Sequence, residues 1–341
     1  MESHAESDLD APQEPKVVGP RRYPCAQCGA KLEFAPGQMA LKCPYCSHLN
    51  EIEDGGGFEA VDELCFETTV AEMQNAAQKV ETSTVKCSSC AAEIVKPKGV
   101  TSFACPFCAS NIVAIESTST LILPNAVLPF HVPRERARQS FRDWLKSRWF
   151  APNALKREGM LDAALSGMYV PAWTYDTHVT TRYEGQRGDA YYVTVGSGKN
   201  RRTVRKVRWS YRSGIVENNF DDVLVVASHT LPGKRMQELE PWDLKSVVPF
   251  STDYLAGFSA ECYQVDLADG FEIAKDIMRG TIESTIRRDI GGDEQRISKM
   301  YCQYDRLTYK HLLLPVWLSA YRFRGRLFQF LVNARTGEVQ G

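Results

Sequence analysis

What this sequence has little of narrows it first. It has almost no net charge: 41 basic side chains against 42 acidic ones leave −1 over 341 residues. That excludes reading the whole molecule as a basic nucleic-acid coat or an acidic disordered tail, so any such property must be local. Long apolar runs are missing. The longest, Leu312 to Ala320, falls well short of the roughly 20 residues that span a bilayer. The opening MESHAESDLD lacks the basic-then-apolar order of a secretory signal. The expectation is a soluble, cytoplasmic chain, with the inner face of the cell membrane as a candidate peripheral location. Histidine is scarce and dispersed (His4, His48, His131, His178, His229, His311), and none sits in an H-E-x-x-H or nucleophile-elbow context. Gly196-Ser197-Gly198-Lys199 is no phosphate loop, because glycine is absent at Val193 and Ser or Thr at Asn200. Neither an ATPase motor nor a hydrolytic site has support, and the expectation is a protein that is not an enzyme.

Cysteine, in contrast, is plentiful and ordered. Eight of the eleven form four C-x-x-C pairs in two blocks, Cys25, Cys28, Cys43, Cys46 and Cys87, Cys90, Cys105, Cys108. Each cysteine of the second block follows its counterpart by 62 residues, so the blocks are an internal repeat. The spacing C-x2-C-x14-C-x2-C is that of four-thiolate zinc ribbons, in which two tight turns each aim a pair of sulfurs at one tetrahedral ion. Pro44 and Pro106 stiffen the second turn of each block, and small residues (Gly29, Ser47, Ala91, Ala109) follow each pair. Leu32, Phe34, Ile94 and Val95 lie where the hairpin strands should run. Disulfides are disfavoured in a reducing compartment, and a thioredoxin-like site needs one pair on a βαβ pattern, not four. Two structural zinc ions are expected, with no open coordination position for catalysis. Eight thiolates and two dications would take the chain from −1 to about −5. Cys65, Cys262 and Cys302 default to small buried hydrophobes.

The expected fold class is α+β: two N-terminal zinc ribbons, then an α+β region with antiparallel sheets. Residues 1–20 read as a disordered lead, 21–50 as ribbon one, 51–83 as an acidic connector, 84–117 as ribbon two and 118–341 as the α+β domain. The connector carries a glycine hinge at Gly55 to Gly57, a helix around Val70 to Val80, and nine acidic residues against Lys79 alone. In the α+β region, Pro133 should open a helix bearing Ala137, Phe141, Trp144 and Leu145. Asp269 should cap a second helix, with Glu272 completing a capping box and Gly291-Gly292 as the stop. Each helix is followed by a similar strand, Val170-Pro171-Ala172-Trp173 and Leu314-Pro315-Val316-Trp317, the two tryptophans 144 residues apart. These matches raise a degenerate duplication, with halves at about 125–227 and 256–341.

Outside the ribbons the most biased stretch is KNRRTVRKVRWSYR, which holds Lys199, Arg201, Arg202, Arg205, Lys206, Arg208 and Arg212 and no acid. In a strand, Lys206, Arg208 and Arg212 share one face, and Arg205, Val207, Trp209 and Tyr211 the other. Phosphate of nucleic acid or of lipid headgroups is the natural partner of such a face. The alternative is a solvated strand whose arginine stems cover apolar surface.

These features together, with LPF, FAPN, YVPAWTYD, LEPWDL, YLAGFSAE, LLLPVWLSAYRF and VNARTG in order, resemble a bacterial family of double zinc-ribbon proteins. Its members are often labelled transcription factor IIB-type zinc ribbons or primosomal helicase-like, and some resemble membrane-associated components of envelope-stress systems. The resemblance implies zinc at the eight ribbon cysteines and supplies no catalytic residues. Many relatives continue past VNARTG into hydrophobic helices, whereas this sequence stops at Gly341, as a soluble variant or as a sequence that ends early. The leading expectation is a non-enzymatic zinc-binding adaptor with a protein partner, acting at a membrane face in one version; no small-molecule substrate is inferred. The alternative is nucleic-acid binding through the 199–212 arm and the ribbons. The acidic connector favours the first, since it would repel a phosphate backbone threaded along both ribbons.

Overall fold

Three stretches rich in β-branched and aromatic residues form strands of 25 to 30 residues, several times the usual length, and everything else is arranged on them. The computed structural model describes residues 24–52, 61–74, 80–95, 102–108, 110–113, 117–147, 165–231, 233–323 and 326–341. The expected lead, the glycine hinge and FAPN lie outside them. In chain order the first ribbon has β1 (Glu33–Ala35), β2 (Ala40–Lys42) and β3 (Leu49–Glu51). The connector has β4 (Leu64–Cys65) and α1 (Phe66–Gln74). The second ribbon has β5 (Val80–Lys86), β6 (Glu93–Val95), β7 (Ser102–Ala104), β8 (Asn111–Val113) and β9 (Ser117–Leu121). Then come β10 (Ala126–Val127), α2 (Arg134–Ser147), β11 (Ser166–Val195), β12 (Arg202–Val226), α3 (Gly233–Glu238), β13 (Val248–Pro249) and β14 (Ser259–Ala260). The chain closes with α4 (Leu267–Ile290), β15 (Glu294–Phe323), β16 (Arg326–Asn333) and β17 (Val339–Gln340). The fold is α+β with antiparallel sheets and two N-terminal four-cysteine clusters.

The central sheet runs β12, β11, β15, β10, β13, with β14 on β11, β4 and β16 on β15, and β17 on β16. Strand alternation explains where the ribbons sit. Val127, Leu313 and Trp317 point to one face, where they share a core with Leu32, Phe34 and Leu41 of ribbon one. Ala126, Leu128, Leu312 and Leu314 point to the other, where they meet Val85, Ile94, Phe107 and Ile112 of ribbon two. Burying each such side chain is worth about 1.5–3 kcal/mol, so neither ribbon hangs free of the body. Ribbon one is pinned by Phe34 N–H to Ala256 O at 2.9 Å and Gly37 N–H to Phe130 O at 3.1 Å. Ribbon two is pinned by a bridge between Ile94 and Glu261 and by Cys262 N–H to Glu93 O at 3.1 Å.

Registers relate the two tryptophan strands by a local pseudo-two-fold. Val170 pairs directly with Leu314, its equivalent under the 144-residue offset of the two tryptophans, so a pseudo-dyad passes through that pair. Flanking elements obey it. β10 runs parallel to β15 at Leu312 and Leu313, and β14 runs parallel to β11 at the equivalent Met168 and Tyr169. The Trp317 indole donates to Val132 O at 2.8 Å and the Trp173 indole to Val265 O at 2.9 Å. Each tryptophan thus ties down the entrance of the other half's helix. The two helix entrances are offset by 133 residues and the strands by 144, which hides the repeat from a single-period search.

Local details depart from the sequence reading in three places. The connector helix spans Phe66–Gln74, and Val80 belongs to a strand because β5 pairs with β6 and β9. The long helix begins at Leu267 with Asp266 as N-cap, one turn before Asp269, which falls in its first turn. Cys65 is exposed, whereas Cys262 is buried.

Candidate functional site

Each four-cysteine cluster is assembled by two C-x-x-C turns closed by backbone hydrogen bonds. Cys25 N–H donates to Ala30 O, Cys43 N–H to His48 O, Cys87 N–H to Ala92 O and Cys105 N–H to Ser110 O, all within 2.7–2.9 Å. The residue after the second cysteine turns back in the left-handed region, at φ +74° for Gly29 and +60° for both Ser47 and Ala91. That conformation suits Gly29, while Ser47 and Ala91 are held in it by the turn's hydrogen bonds, Ser47 N–H to Cys43 O and Ala91 N–H to Cys87 O. Across the clusters the sulfurs stand 3.6 Å apart for Cys25 and Cys46, 3.5 Å for Cys28 and Cys43, 3.6 Å for Cys87 and Cys108, and 3.7 Å for Cys90 and Cys105. Four sulfurs at about 2.3 Å from a tetrahedral ion would be roughly 3.8 Å from one another. Both clusters could therefore hold a metal ion, and four thiolates are the donor set of structural zinc.

Electrostatics within the clusters lead the same way. Burial opposes ionisation of Cys25, but the N–H groups of Cys28 and Gln27 and the neighbouring thiols outweigh it and bring the group down to about 6. For Cys46 the His48 N–H favours the thiolate, yet burial and the other thiols prevail and push it up to about 12. In the second cluster burial pushes Cys90 up to about 12, while at Cys108 burial is outweighed by hydrogen bonds from Ser110 and the Cys87 and Cys90 thiols together, which bring it down to about 7. Thiols this close cannot all ionise together unless a cation offsets the charge.

The basic stretch forms one side of a long arm. β11 and β12 are paired from Ala172 with Val226 to Val195 with Arg202, around a turn at Gly196 to Arg201. β15 joins only up to Gly188 with Glu294. The last seven residues of β11 therefore project with β12 as a two-stranded tip roughly 20 Å long. Lys206, Arg208 and Arg212 lie on the face that carries α4, shown by Tyr183 donating to Asp289 and Asn218 to Thr285 from that side. Arg208 also covers the Tyr191 ring at 5.5 Å. Arg205 lies on the opposite face in an ion pair with Glu294, beside Trp209, whose ring is covered by Arg296 at 3.8 Å. Arg201 and Arg202 flank the turn and are exposed; the side chain of Lys199 lies outside the described residues.

The arm leaves the body at a paired bulge that the sequence did not signal. Register shifts at Asp176 on both sides, with Asp222 on β12 and Arg306 on β15 at positive φ. Lys310 sits at this joint, its ammonium 2.8 Å from Asp222 and 3.2 Å from both Asp176 and Glu63. The Asp176 carboxylate also accepts the Asp222 N–H. Glu63, Asp176 and Asp221 could by proximity be taken for a further cation site, but Lys310 already supplies a cation to this group. Its role is to bind the connector to both long strands.

No helix among the described residues is long and apolar enough to cross a membrane. No family model matches the chain, and no solved structure does. It is similar to an uncharacterised protein, YdjG of Bacillus subtilis (strain 168), at 25% identity over 229 residues, covering 64% of this chain and 63% of that protein. The chain spans less than two thirds of that relative's length.

Proposed function

We propose that this chain is a non-enzymatic, zinc-stabilised adaptor that presents the long β-arm to a macromolecular partner. The observation that carries this reading is the division of labour in the fold. Two four-cysteine ribbons are built into opposite faces of the central sheet, while the arm extends beyond that braced region with exposed aromatic and basic side chains, among them Tyr192, Tyr211, Arg201 and Arg202. Zinc fits the donor set, and closed four-ligand sites support folding and not chemistry. The partner is a protein in the leading reading, with a membrane face as one setting.

The test is replacement of residues 190–207 by an Asn-Gly turn. The shortened chain should keep two zinc ions and its melting temperature, yet lose its partner on capture from native soluble and membrane fractions. Unchanged partner recovery would overturn the reading.

Nucleic acid is the second reading, and one observation favours it. The acidic connector docks through β4 at Thr308 and Tyr309, whereas the basic tip lies roughly 60 Å away along β11 at about 3.3 Å per residue. Screening within about 10 Å isolates the two patches. The argument that the connector would repel a phosphate backbone therefore does not apply to the arm.

A further inference from the structure

The face of the arm turned away from α4 has a composition that the basic run alone does not convey. The registers put Ile215, Arg182 and Tyr301 in one cross-strand row, Ser213, Glu184 and Lys299 in the next, Tyr211, Gln186 and Arg296 in the one after, and Trp209 beyond them. Tyr211, Tyr301 and Ile215 are 66%, 59% and 59% exposed, and Tyr192 towards the tip is 68% exposed. These values are high for aromatic side chains on a sheet. Of the acidic groups on this face, Glu294 pairs with Arg205 and Glu184 with Lys299 at 3.5 Å, while Glu217, one row from Ile215, is exposed.

The geometry points to single-stranded nucleic acid as the ligand of this open face. The inference rests on the reading of the arm as the partner surface and names the partner's class. A sheet face with the exposed rings of Tyr301 and Tyr211 two rows apart, about 13 Å along the strands, offers separate stacking platforms to unpaired bases. The Arg296 guanidinium, 3.8 Å from the centroid of the Trp209 ring, already covers that ring with a cation, which leaves Tyr211 and Tyr301 as the open platforms. Arg182, together with Lys206, Arg208 and Arg212 on the opposite face of the same thin sheet, raises the potential within one screening length. An acidic polypeptide would answer the charge and leave the rings unused. A duplex would keep its bases stacked away from them.

The full-length, zinc-loaded chain is titrated with fluorescently labelled oligothymidylate longer than about 16 nucleotides, the upper site size of a small single-strand binder. Anisotropy should rise in the micromolar range or below, and affinity should fall at least tenfold between about 50 and 200 mM salt. The double variant Tyr211→Ala, Tyr301→Ala should bind at least tenfold more weakly at an unchanged melting temperature. Tyr211→Phe, Tyr301→Phe should bind like the parent. Binding that ignores the alanine pair, equal binding of a duplex of the same length, equal competition by polyglutamate, or no binding at all would each overturn the inference. The adaptor reading would survive those results if the arm still retained a protein partner, and would fall with them if it did not.

Discussion

Glu261 and Lys310 are both charged side chains drawn out of water, and their surroundings treat them in opposite ways. Lys310 is matched by three carboxylates, and removing it strands them. Lys310→Met should therefore cost on the order of 3 kcal/mol, read as a lowered midpoint in urea. Glu261 lies where ribbon two meets the body, 3% exposed, with neither carboxylate oxygen hydrogen-bonded. Burial pushes it up to about 7, with the Thr230 and Ser228 hydroxyls working weakly the other way. An acid raised in the folded state binds protons more tightly there than in the unfolded chain. Stability should be greatest below the unfolded value near 4.5 and decline as pH climbs to about 7. Glu261→Gln should flatten that decline, worth about 3 kcal/mol at most, in denaturant titrations at pH 5 and pH 8; parallel losses in both proteins would contradict the assignment. His311 sets the acid side. It is buried against the rings of Trp173 and Tyr263 with no hydrogen bond to either ring nitrogen, and burial draws it down to about 4. Its contribution is complete above about 6.5 and is lost as pH falls through 4.

At the scale of elements, the ribbons and the tryptophan ties are separable. Cys43→Ser should halve the metal content and lower the melting temperature, because ribbon one shares its core with Phe130 and Trp317; metal in the second cluster should remain. Trp173→Phe and Trp317→Phe each remove one buried hydrogen bond to a helix entrance, costing about 1 kcal/mol apiece. The matched geometry of the two bonds predicts equal losses, and a loss confined to one would break the symmetry. The elements also show what a sequence can and cannot disclose. The ribbons were legible because zinc geometry forces four cysteines into a fixed spacing. The tryptophan strands and the Gly291 stop were legible because local propensity decides them. The seating of the ribbons on opposite faces, the Lys310 joint and the Arg296 cover on Trp209 join residues from 80 to almost 250 positions apart. No local pattern encodes such contacts. The sheet bulge at Asp176 escaped for a related reason: Asp222 and Arg306 adopt positive φ where the pairing of β11 with β12 and β15 shifts register.

At the scale of the whole molecule, the near-neutral charge is a sum of separated regions. An acidic group with Lys310 at its centre marks the joint with the body, a cationic tip lies some 60 Å along the arm, and the two four-cysteine clusters sit on opposite faces of the central sheet. A braced frame that carries a projecting arm is the central claim, and it stands on the clusters being filled. The most direct measurement is metal content by mass spectrometry on the purified full chain, paired with X-ray absorption at the zinc edge. The account predicts two zinc ions per chain, each with four sulfur neighbours near 2.3 Å, and unfolding of the body when they are chelated. A folded chain that carries no zinc, or zinc bound through oxygen and nitrogen, would contradict it.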